Sequence, residues 1–383
     1  MKIAKLELFR VAPRWQFLKI ETDEGVSGWG EPIVEGRAET TAAAVEELSD
    51  HLIGKDPRHI EDLFQVMYRG GFYRGGPVLS SAISGIEQAL WDIKGKVLGI
   101  PVYELLGGPV RNKVRLYAHV RGDSPEEYAA NARQLVEAGY TALKMGVVAE
   151  TDWVERPASI DAAVARFAAV REAVGRDVGV GIDFHGRVRR PVAKVIAKAI
   201  EPFDPMFYEE LLLPGNTDAL REVARTCAVP LATGERMFTR WEFKSVLAEG
   251  IVDIIQPDVS HAGGIWEMRK IAAMAEAYDV AVAPHCPLGP LTLAASLQLD
   301  YCTPNAFIQE QSTNVAYHAD SENAMFRYLH GNPFEFRDGF VARTASPGLG
   351  VEINEEAVRE AAVTGHRWRN PVFRLEDGSI AEW

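Results

Sequence analysis

The sequence is poor in cysteine and has no long apolar run. Its 383 residues include 3 cysteines, Cys227, Cys286 and Cys302, and none of them forms a CxxC motif. An odd count without such a motif argues against a disulfide framework and predicts a reducing, cytoplasmic location. No segment reaches the roughly 18 apolar residues of a transmembrane helix, and residues 1–8 lack the apolar core of a signal peptide. We therefore expect no membrane partner.

Positive charge is also scarce. There are 41 Lys and Arg residues against 54 Asp and Glu residues, so that the formal net charge is −13. Such a chain repels the phosphates of nucleic acids, and we expect no nucleic-acid partner. A small anionic substrate would need a metal to hold it. The length exceeds the usual size of one domain, which predicts a large domain and a smaller one.

From Val114 onward, short apolar segments alternate with helical patterns. Eight segments have the composition of strands: 114–118, 142–145, 178–183, 206–209, 230–233, 251–256, 279–284 and 307–309. Eight such strands with helices between them predict a (β/α)₈-type barrel. An open doubly wound sheet is the alternative, but no GxGxxG motif follows the first strand to support its dinucleotide-binding form.

The flanking regions predict a second structural unit. Residues 1–113 combine the pattern of an antiparallel meander at 2–31 with helical patterns up to residue 97, which indicates an α+β domain. The barrel is predicted at 114–320. The tail, 321–383, would expose apolar side chains unless it returns to the first domain. These side chains are Phe340, Val341, Val351, Ile353 and Trp368.

Three acids stand at equal intervals along the predicted barrel. Asp183, Glu209 and Glu235 are 26 residues apart, and each closes a strand-like segment. This interval equals one strand plus one helix, so all three acids should reach the carboxyl edge of the sheet, where barrel enzymes keep their active sites. A single such acid would cap a helix or remain solvated. Three converging carboxylates instead favour a site for Mg²⁺, which prefers hard oxygen ligands.

Two histidines stand near the same edge. His185 follows Asp183 by two residues, and alternation along an extended strand would send both side chains to one side. His285 and Asp258 end neighbouring predicted strands, 27 residues apart. A carboxylate beside an imidazole fixes its tautomer and raises its basicity. The pair therefore has the composition of a general base and the group that orients it.

Lys144 and Glu310 close the second and eighth predicted strands on this rim, whereas His119 and His261 are expected to be structural. A metal, two histidines, a lysine and a further acid suit removal of a proton next to a carboxylate. The base takes the α-proton, and the developing enediolate charge falls on the cationic neighbours.

Several motifs carry a family resemblance. They are Asp183-Phe184-His185, Glu209-Glu210, Gly234-Glu235-Arg236, Gln256-Pro257-Asp258, Pro284-His285-Cys286 and Gln309-Glu310-Gln311-Ser312. Together they resemble the mandelate racemase subgroup of the enolase superfamily, and the resemblance runs along nearly the whole chain. It implies a modified TIM barrel, (β/α)₇β, with an N-terminal α+β capping domain that the C-terminal tail completes. It also implies a homo-oligomer and Mg-dependent dehydration of an acid sugar, with D-galactonate as the leading aldonate.

The resemblance implies a role for each site residue. Asp183, Glu209 and Glu235 would bind Mg²⁺. His285, paired with Asp258, would take the C2 proton, and His185 would protonate the departing 3-hydroxyl. Glu310 would hydrogen-bond the enediolate, and Lys144 would lie near the substrate carboxylate. The expected contacts to the distal hydroxyls are Arg14, Trp15, Phe72, Tyr73 and Arg74.

The chain departs from the family pattern beside several strand ends. It has Leu211 where the family commonly has Pro, Gly146 where an Asn usually stands, and Arg121 in place of a turn Gly. These changes bear on which aldonate is used, such as gluconate or arabinonate in place of galactonate. An epimerase or racemase would share the enediolate but needs a second base, and Gly146 removes the usual Lys-x-Lys pair. A barrel retained only for binding is the non-catalytic alternative.

Overall fold

The computed structural model describes residues 1–313 and 324–383. The first domain opens with an antiparallel sheet, in which β2 is central, and continues with four helices. Its strands are β1 (Ile3–Val11), β2 (Trp15–Thr22) and β3 (Ser27–Gly30), and its helices are α1 (Ala38–Ser49), α2 (Ile60–Arg69), α3 (Pro77–Leu98) and α4 (Val102–Leu105). Helix α3 begins at a proline and ends at Gly99 in the left-handed conformation, as helix-terminus chemistry favours. This is the predicted α+β unit.

The second domain is built on a parallel sheet in which each strand pairs with the next one along the chain. After β4 (Lys113–Arg115), its strands are β5 (Ala118–Val120), β6 (Ala142–Met145), β7 (Gly179–Asp183), β8 (Tyr208–Glu209), β9 (Leu231–Thr233), β10 (Ile254–Ile255) and β11 (Ala281–Val282). The helices are α5 (Pro125–Glu137), α6 (Pro157–Val174), α7 (Arg190–Ile200), α8 (Thr217–Ala224), α9 (Thr239–Ala248), α10 (Ile265–Ala277) and α11 (Pro290–Cys302). Sequential parallel pairing excludes the doubly wound alternative, whose strand order reverses.

Two isolated bridges close this sheet into a barrel. Leu116 bridges Gln309, and Val282 bridges Ala306, both in parallel orientation. The predicted first strand, 114–118, is therefore wrong in its bounds, because β4 leaves the barrel for another sheet and barrel pairing begins only at Leu116. The predicted eighth strand, 307–309, is not a continuous strand: Ala306 and Gln309 each form a single bridge, one to either side of the seam.

The C-terminal tail returns to the first domain. Its strands β12 (Phe336–Arg337) and β13 (Phe340–Ala342) form an antiparallel sheet with β4. Helix α12 (Glu355–Thr364) lies on β1, and Arg359 Nη2 is 3.0 Å from Glu7 Oε2. The Tyr328 ring packs edge-on against Phe17 at 5.7 Å. The tail thus completes the capping domain. The domain limits 1–113, 114–320 and 321–383 stay predictions, and the last boundary lies outside the described residues.

The barrel interior contains a layer of side chains below the carboxyl edge. Its members are Tyr117, Ala142, Phe207, Ala232, Ile254, Ala283 and Ile308. On β7 the corresponding place is left open by Gly181, and a Cβ added there would lie 2.4 Å from the Phe207 ring. Phe207 therefore fills the space that a side chain on β7 would need. None of the helices in the described ranges is long and apolar enough to cross a membrane.

This packing predicts that Gly181→Ala destabilises the barrel by about 1–3 kcal/mol, the usual effect of overpacking a core. The buried Phe207 ring cannot yield without displacing its neighbours. Gly179→Ala on the same strand is the control, because its Cβ would meet the flexible Met206 side chain at 2.5 Å. Urea unfolding of both variants measures the difference. Equal stability losses would contradict the assignment of Phe207 as the rigid neighbour.

Candidate active site

Three buried carboxylates meet at the carboxyl edge of the barrel. Asp183 ends β7, Glu209 ends β8, and the two residues pair across these strands. Glu235 lies two residues beyond β9. One oxygen of each carboxylate lies within 4.8 Å of the others. The 26-residue spacing thus corresponds to two paired strand ends and a third acid in the loop just after its strand.

The triad is electrostatically unfavourable by itself. Burial raises the pKa of Glu235 to about 8, and burial reinforced by the charge of Asp183 raises the pKa of Glu209 well above its usual value. Burial also acts on Asp183, but His185 and Lys144 outweigh it and lower the pKa of Asp183 to about 2. Within the described residues, Glu209 Oε2 is buried without a hydrogen-bond partner. An orphaned acceptor among converging carboxylates fits a divalent cation.

Lys144, on β6, connects the triad to Glu310. Its Nζ is 2.9 Å from Glu209 Oε1, 3.2 Å from Asp183 Oδ2 and 2.9 Å from Glu310 Oε1. Burial alone would lower the pKa of Lys144, but these carboxylates outweigh it and raise the pKa well above its usual value. The side chain is therefore a fixed ammonium that faces the cavity.

His119 also belongs to this group. Its Nε2 lies 3.0 Å from Glu310 Oε1, and its side chain lines the same cavity as Lys144. The expectation that His119 is structural stays a prediction, although the residue lines the cavity. His119 lies on β5, but the predicted first strand ended at residue 118. His119 was therefore not among the residues at predicted strand ends, as Lys144 was.

His285 and Asp258 form the predicted pair. His285 Nδ1 is 2.7 Å from Asp258 Oδ2, and Asp258 Oδ1 accepts a hydrogen bond of 2.7 Å from the backbone N–H of Ser260. The second ring nitrogen, Nε2, lies 3.4 Å from Glu235 Oε2 and 3.9 Å from Glu310 Oε2. Burial opposes the charged imidazole, but the carboxylates, Glu235 foremost, raise the pKa of His285 well above its usual value. Asp258 thus orients the ring and leaves Nε2 toward the cavity.

His185 reaches the site through a turn. Strand β7 ends at Asp183, and His185 has a φ of +51°, so the expectation of strand alternation is wrong. The backbone N–H of His185 donates to Asp183 Oδ1 at 2.9 Å, and His185 Nε2 lies 3.2 Å from Asp183 Oδ2. Burial lowers the pKa of His185 to about 4, against the opposing charge of Asp183. The left-handed turn thus places a second imidazole beside the triad.

His261 connects helix α3 of the capping domain to the His285–Asp258 pair. Its Nδ1 is 2.8 Å from the Ser81 hydroxyl on α3, and its Nε2 is 3.4 Å from Glu35 Oε2 and 3.9 Å from Asp258 Oδ2. The expectation that His261 is a plain structural side chain therefore misses that it lines the cavity beside Glu35. Its position three residues after Asp258 was the available signal.

These groups surround a cavity of about 910 Å³ between the barrel and the capping domain. Arg14 lines it, and its Nη2 donates to the carbonyl of Pro287 at 3.0 Å. Trp15 is buried, with its ring stacked at 6.1 Å on Phe17. Sequence reasoning missed two residues of the tail that also line the cavity, Asn370 and Trp383, because no strand-end spacing marks them.

The other predicted substrate contacts lie elsewhere. Phe72 and Tyr73 are 92% and 86% exposed and pack edge-on at 5.2 Å. In the described structure, none of Phe72, Tyr73 and Arg74 lines the cavity, whereas the nearby Pro77 does. Their contact with substrate stays a prediction.

The departures from the family pattern occupy different places. Gly146 and Arg121 line the cavity, whereas Leu211 is buried with 1% exposure. A Cβ at Gly146 would meet only the Asp183 carbonyl, at 3.8 Å. The space that a side chain at 146 would fill is thus open to a ligand. Whether these residues change specificity stays a prediction.

The fold and the site together define a class: a modified TIM barrel enzyme with a capping domain and three acids that could hold a divalent metal. The model of the enolase C-terminal domain-like family matches residues 127–357. The model of the mandelate racemase / muconate lactonizing enzyme N-terminal domain matches residues 11–107. The chain therefore belongs to the mandelate racemase / muconate lactonizing enzyme family of the enolase superfamily.

Similar proteins agree with this assignment. A D-galactonate dehydratase of Pectobacterium atrosepticum is 54% identical over 383 residues, 100% of both chains. One of Variovorax paradoxus is 53% identical over the same full lengths. Among solved structures, a member of the enolase superfamily from Salmonella Typhimurium has a TM-score of 0.88 and 33% identity, and the match covers 94% of this chain and 98% of that one. The resemblance and the modified barrel with its capping domain are thus confirmed.

Proposed function

We propose that the chain is a Mg²⁺-dependent aldonate dehydratase, with D-galactonate as its leading substrate and a 2-keto-3-deoxy acid as its product. The observation that carries the proposal is that His285 and His185 line one cavity together with Asp183 and Glu235 of the acid triad. The first imidazole has a carboxylate partner at 2.7 Å, and the second lies against the triad at 3.2 Å. The full-length similarity to D-galactonate dehydratases supports the choice of substrate.

Proton removal is assigned to His285. Asp258 holds Nδ1, so that Nε2 of the neutral ring accepts the C2 proton of the substrate. The carboxylate that most favours the charged ring is Glu235, one of the three acids that would hold the metal. The C2–H electrons pass into the enediolate, whose negative charge is stabilised by the Lys144 ammonium, with Glu310 placed to hydrogen-bond a protonated oxygen. When bound to Asp183, Glu209 and Glu235, Mg²⁺ supplies positive charge beside the substrate carboxylate.

Elimination is assigned to His185. It must be protonated for this step, the form that the charge of Asp183 favours against burial. The protonated ring donates a proton to the 3-hydroxyl as the C3–O bond breaks, and water leaves with the bonding electrons. The enol that remains takes a proton at C3 and loses the proton of its C2 hydroxyl, which gives the 2-keto-3-deoxy acid. His185 suits this step because its ring lines the cavity and its Nε2 lies 3.2 Å from Asp183 Oδ2.

An epimerase would need a second base for the opposite face of C2. Lys144 cannot act as one while it pairs with three carboxylates at 2.9–3.2 Å, because they hold it as an ammonium ion. Gly146 supplies no further base. We therefore favour dehydration over epimerisation. The oxygen-only ligand set supports Mg²⁺, the three free cysteines support a cytoplasmic location, and a homo-oligomer is the state that we propose from the family resemblance.

A panel of aldonates tests this proposal. With Mg²⁺ and no other cofactor, D-galactonate is expected to give a 2-keto product that semicarbazide detects. Its C4 epimer D-gluconate is expected to react with at least a roughly tenfold lower kcat/KM, because a hydrogen-bonding site rejects a misplaced hydroxyl. D-arabinonate completes the panel.

The outcomes separate the alternatives. Faster turnover of another aldonate would replace D-galactonate as the substrate and keep the reaction. Epimerised aldonate without a keto product would replace dehydration by epimerisation. Failure of the metal-loaded protein to act on any member would favour the non-catalytic barrel.

A further inference from the structure

The segment 368–383 of the C-terminal tail runs along one side of the cavity. At its start, the Arg14 guanidinium lies over the Trp368 ring, 5.1 Å from the centroid. Arg369 Nη1 donates to the carbonyl of Gly36 at 3.0 Å, and Asn370 Nδ2 donates to the carbonyl of Glu35 at 3.4 Å. These contacts hold the start of the segment to the capping-domain loop that contains Glu35.

The other end of the segment is held by the barrel. Glu382 Oε2 lies 3.1 Å from Arg189 Nη1, in the turn that follows β7. The Arg187 guanidinium covers the Phe373 ring at 5.1 Å, and the Phe373 ring contacts that of Trp383 at 6.2 Å. The segment therefore spans from the capping domain to the βα-loop that contains His185.

These anchors place Trp383 against His185. The indole and imidazole centroids are 5.8 Å apart, and the ring planes meet at 88°. Trp383 also lines the cavity. The imidazole sits on a left-handed turn beyond the end of its strand and is 35% exposed, so strand pairing does not fix its plane. Asp183 holds one edge of the ring, and the indole packs against it.

We infer that Trp383 is a positioning residue for His185, through which segment 368–383 supports loss of the 3-hydroxyl but not removal of the C2 proton. The inference rests on the proposed dehydratase function. An acid must hold its proton donor within hydrogen-bonding distance of the leaving oxygen, and an edge-on ring restricts the tilt of the imidazole and excludes water from one side of it. His285 is fixed independently by Asp258, so proton removal does not need the indole.

The two half-reactions can be measured separately. In D₂O, an enzyme that removes the C2 proton but eliminates slowly returns substrate that carries deuterium at C2. Trp383→Ala is expected to lower keto-acid formation by between about tenfold and 100-fold, the size of effect that a small misplacement of a reacting group produces. Its recovered aldonate should gain deuterium at a rate no lower than that of the unaltered enzyme.

Three further variants complete the experiment. Trp383→Phe keeps an aromatic edge and should restore most of the turnover. Glu382→Gln weakens the anchor on Arg189 outside the cavity and should shift the ratio of exchange to turnover in the same direction as Trp383→Ala, by less. Trp153→Ala is the matched control, because its indole packs on the same Arg189 at 4.7 Å without lining the cavity, and it should leave the ratio unchanged.

The results distinguish this inference from the proposed function. Silence of the unaltered enzyme in both turnover and exchange would overturn the proposed function and the inference with it. An active enzyme in which Trp383→Ala retains full turnover overturns the inference alone. A parallel loss of exchange and turnover in Trp383→Ala and Trp383→Phe also overturns it, since that pattern indicates general damage to the cavity.

Discussion

His285→Asn is expected to lower dehydration by about 10²–10⁴-fold, the contribution that a positioned general base makes. Asparagine is similar in size and can keep the contact with Asp258, but it cannot accept the C2 proton. The carboxylate partner lies 2.7 Å from Nδ1 and is itself buried, so the fold should survive the change. Keto-acid formation and deuterium exchange at C2 are the two measurements, and both should be lost together.

His185→Asn is the matched comparison. It should lose keto-acid formation but keep C2 exchange, because its imidazole is assigned to the second step. If His185→Asn loses exchange while His285→Asn retains it, the two roles are reversed, and the reaction class still stands.

Glu209→Gln is expected to remove bound Mg²⁺ and to lower turnover by at least about 100-fold. The substitution deletes one of three anionic ligands and places an amide where Glu209 Oε2 now has no hydrogen-bond partner in the described structure. Metal content after desalting and keto-acid formation at fixed Mg²⁺ are the measurements.

Glu210→Gln is a matched control for this prediction. Glu210 is the neighbouring buried acid, but its carboxylate pairs with Arg236 and stands outside the triad. It should keep its metal. Near-native metal content and activity in Glu209→Gln would exclude the triad as the metal site.

The sequence predicted those parts of the site that depend on strand order. Asp183 and Glu209 end adjacent strands, and a constant interval between such residues is visible along the chain. Asp258 and His285 follow the same rule and meet through a parallel bridge. In a barrel of repeated strand–helix units, residues at a constant interval along the chain lie at the same edge of the sheet. The sequence alone was therefore enough to predict these residues.

The remaining residues depend on features that the sequence does not display. Trp383 and Asn370 reach the cavity only because a long tail crosses it, and no periodic spacing marks such a return. The turn at His185 depends on a positive φ, a conformation that composition alone does not predict for histidine. His119 was missed through a local error, since the first strand was placed a few residues too early.

Substitution of Lys144 would affect both the chemistry of the site and the stability of the barrel. Its ammonium connects β6 to acids on β7 and β8 and, across β5, to Glu310 beside the seam that single bridges close. Removing one partner of a buried ionic network leaves uncompensated charge and typically destabilises a protein by several kcal/mol. The charge stabilisation that we propose for the reaction and the stability of the barrel rim therefore depend on one side chain. Loss of activity at this position would therefore combine a chemical defect with a less stable barrel rim.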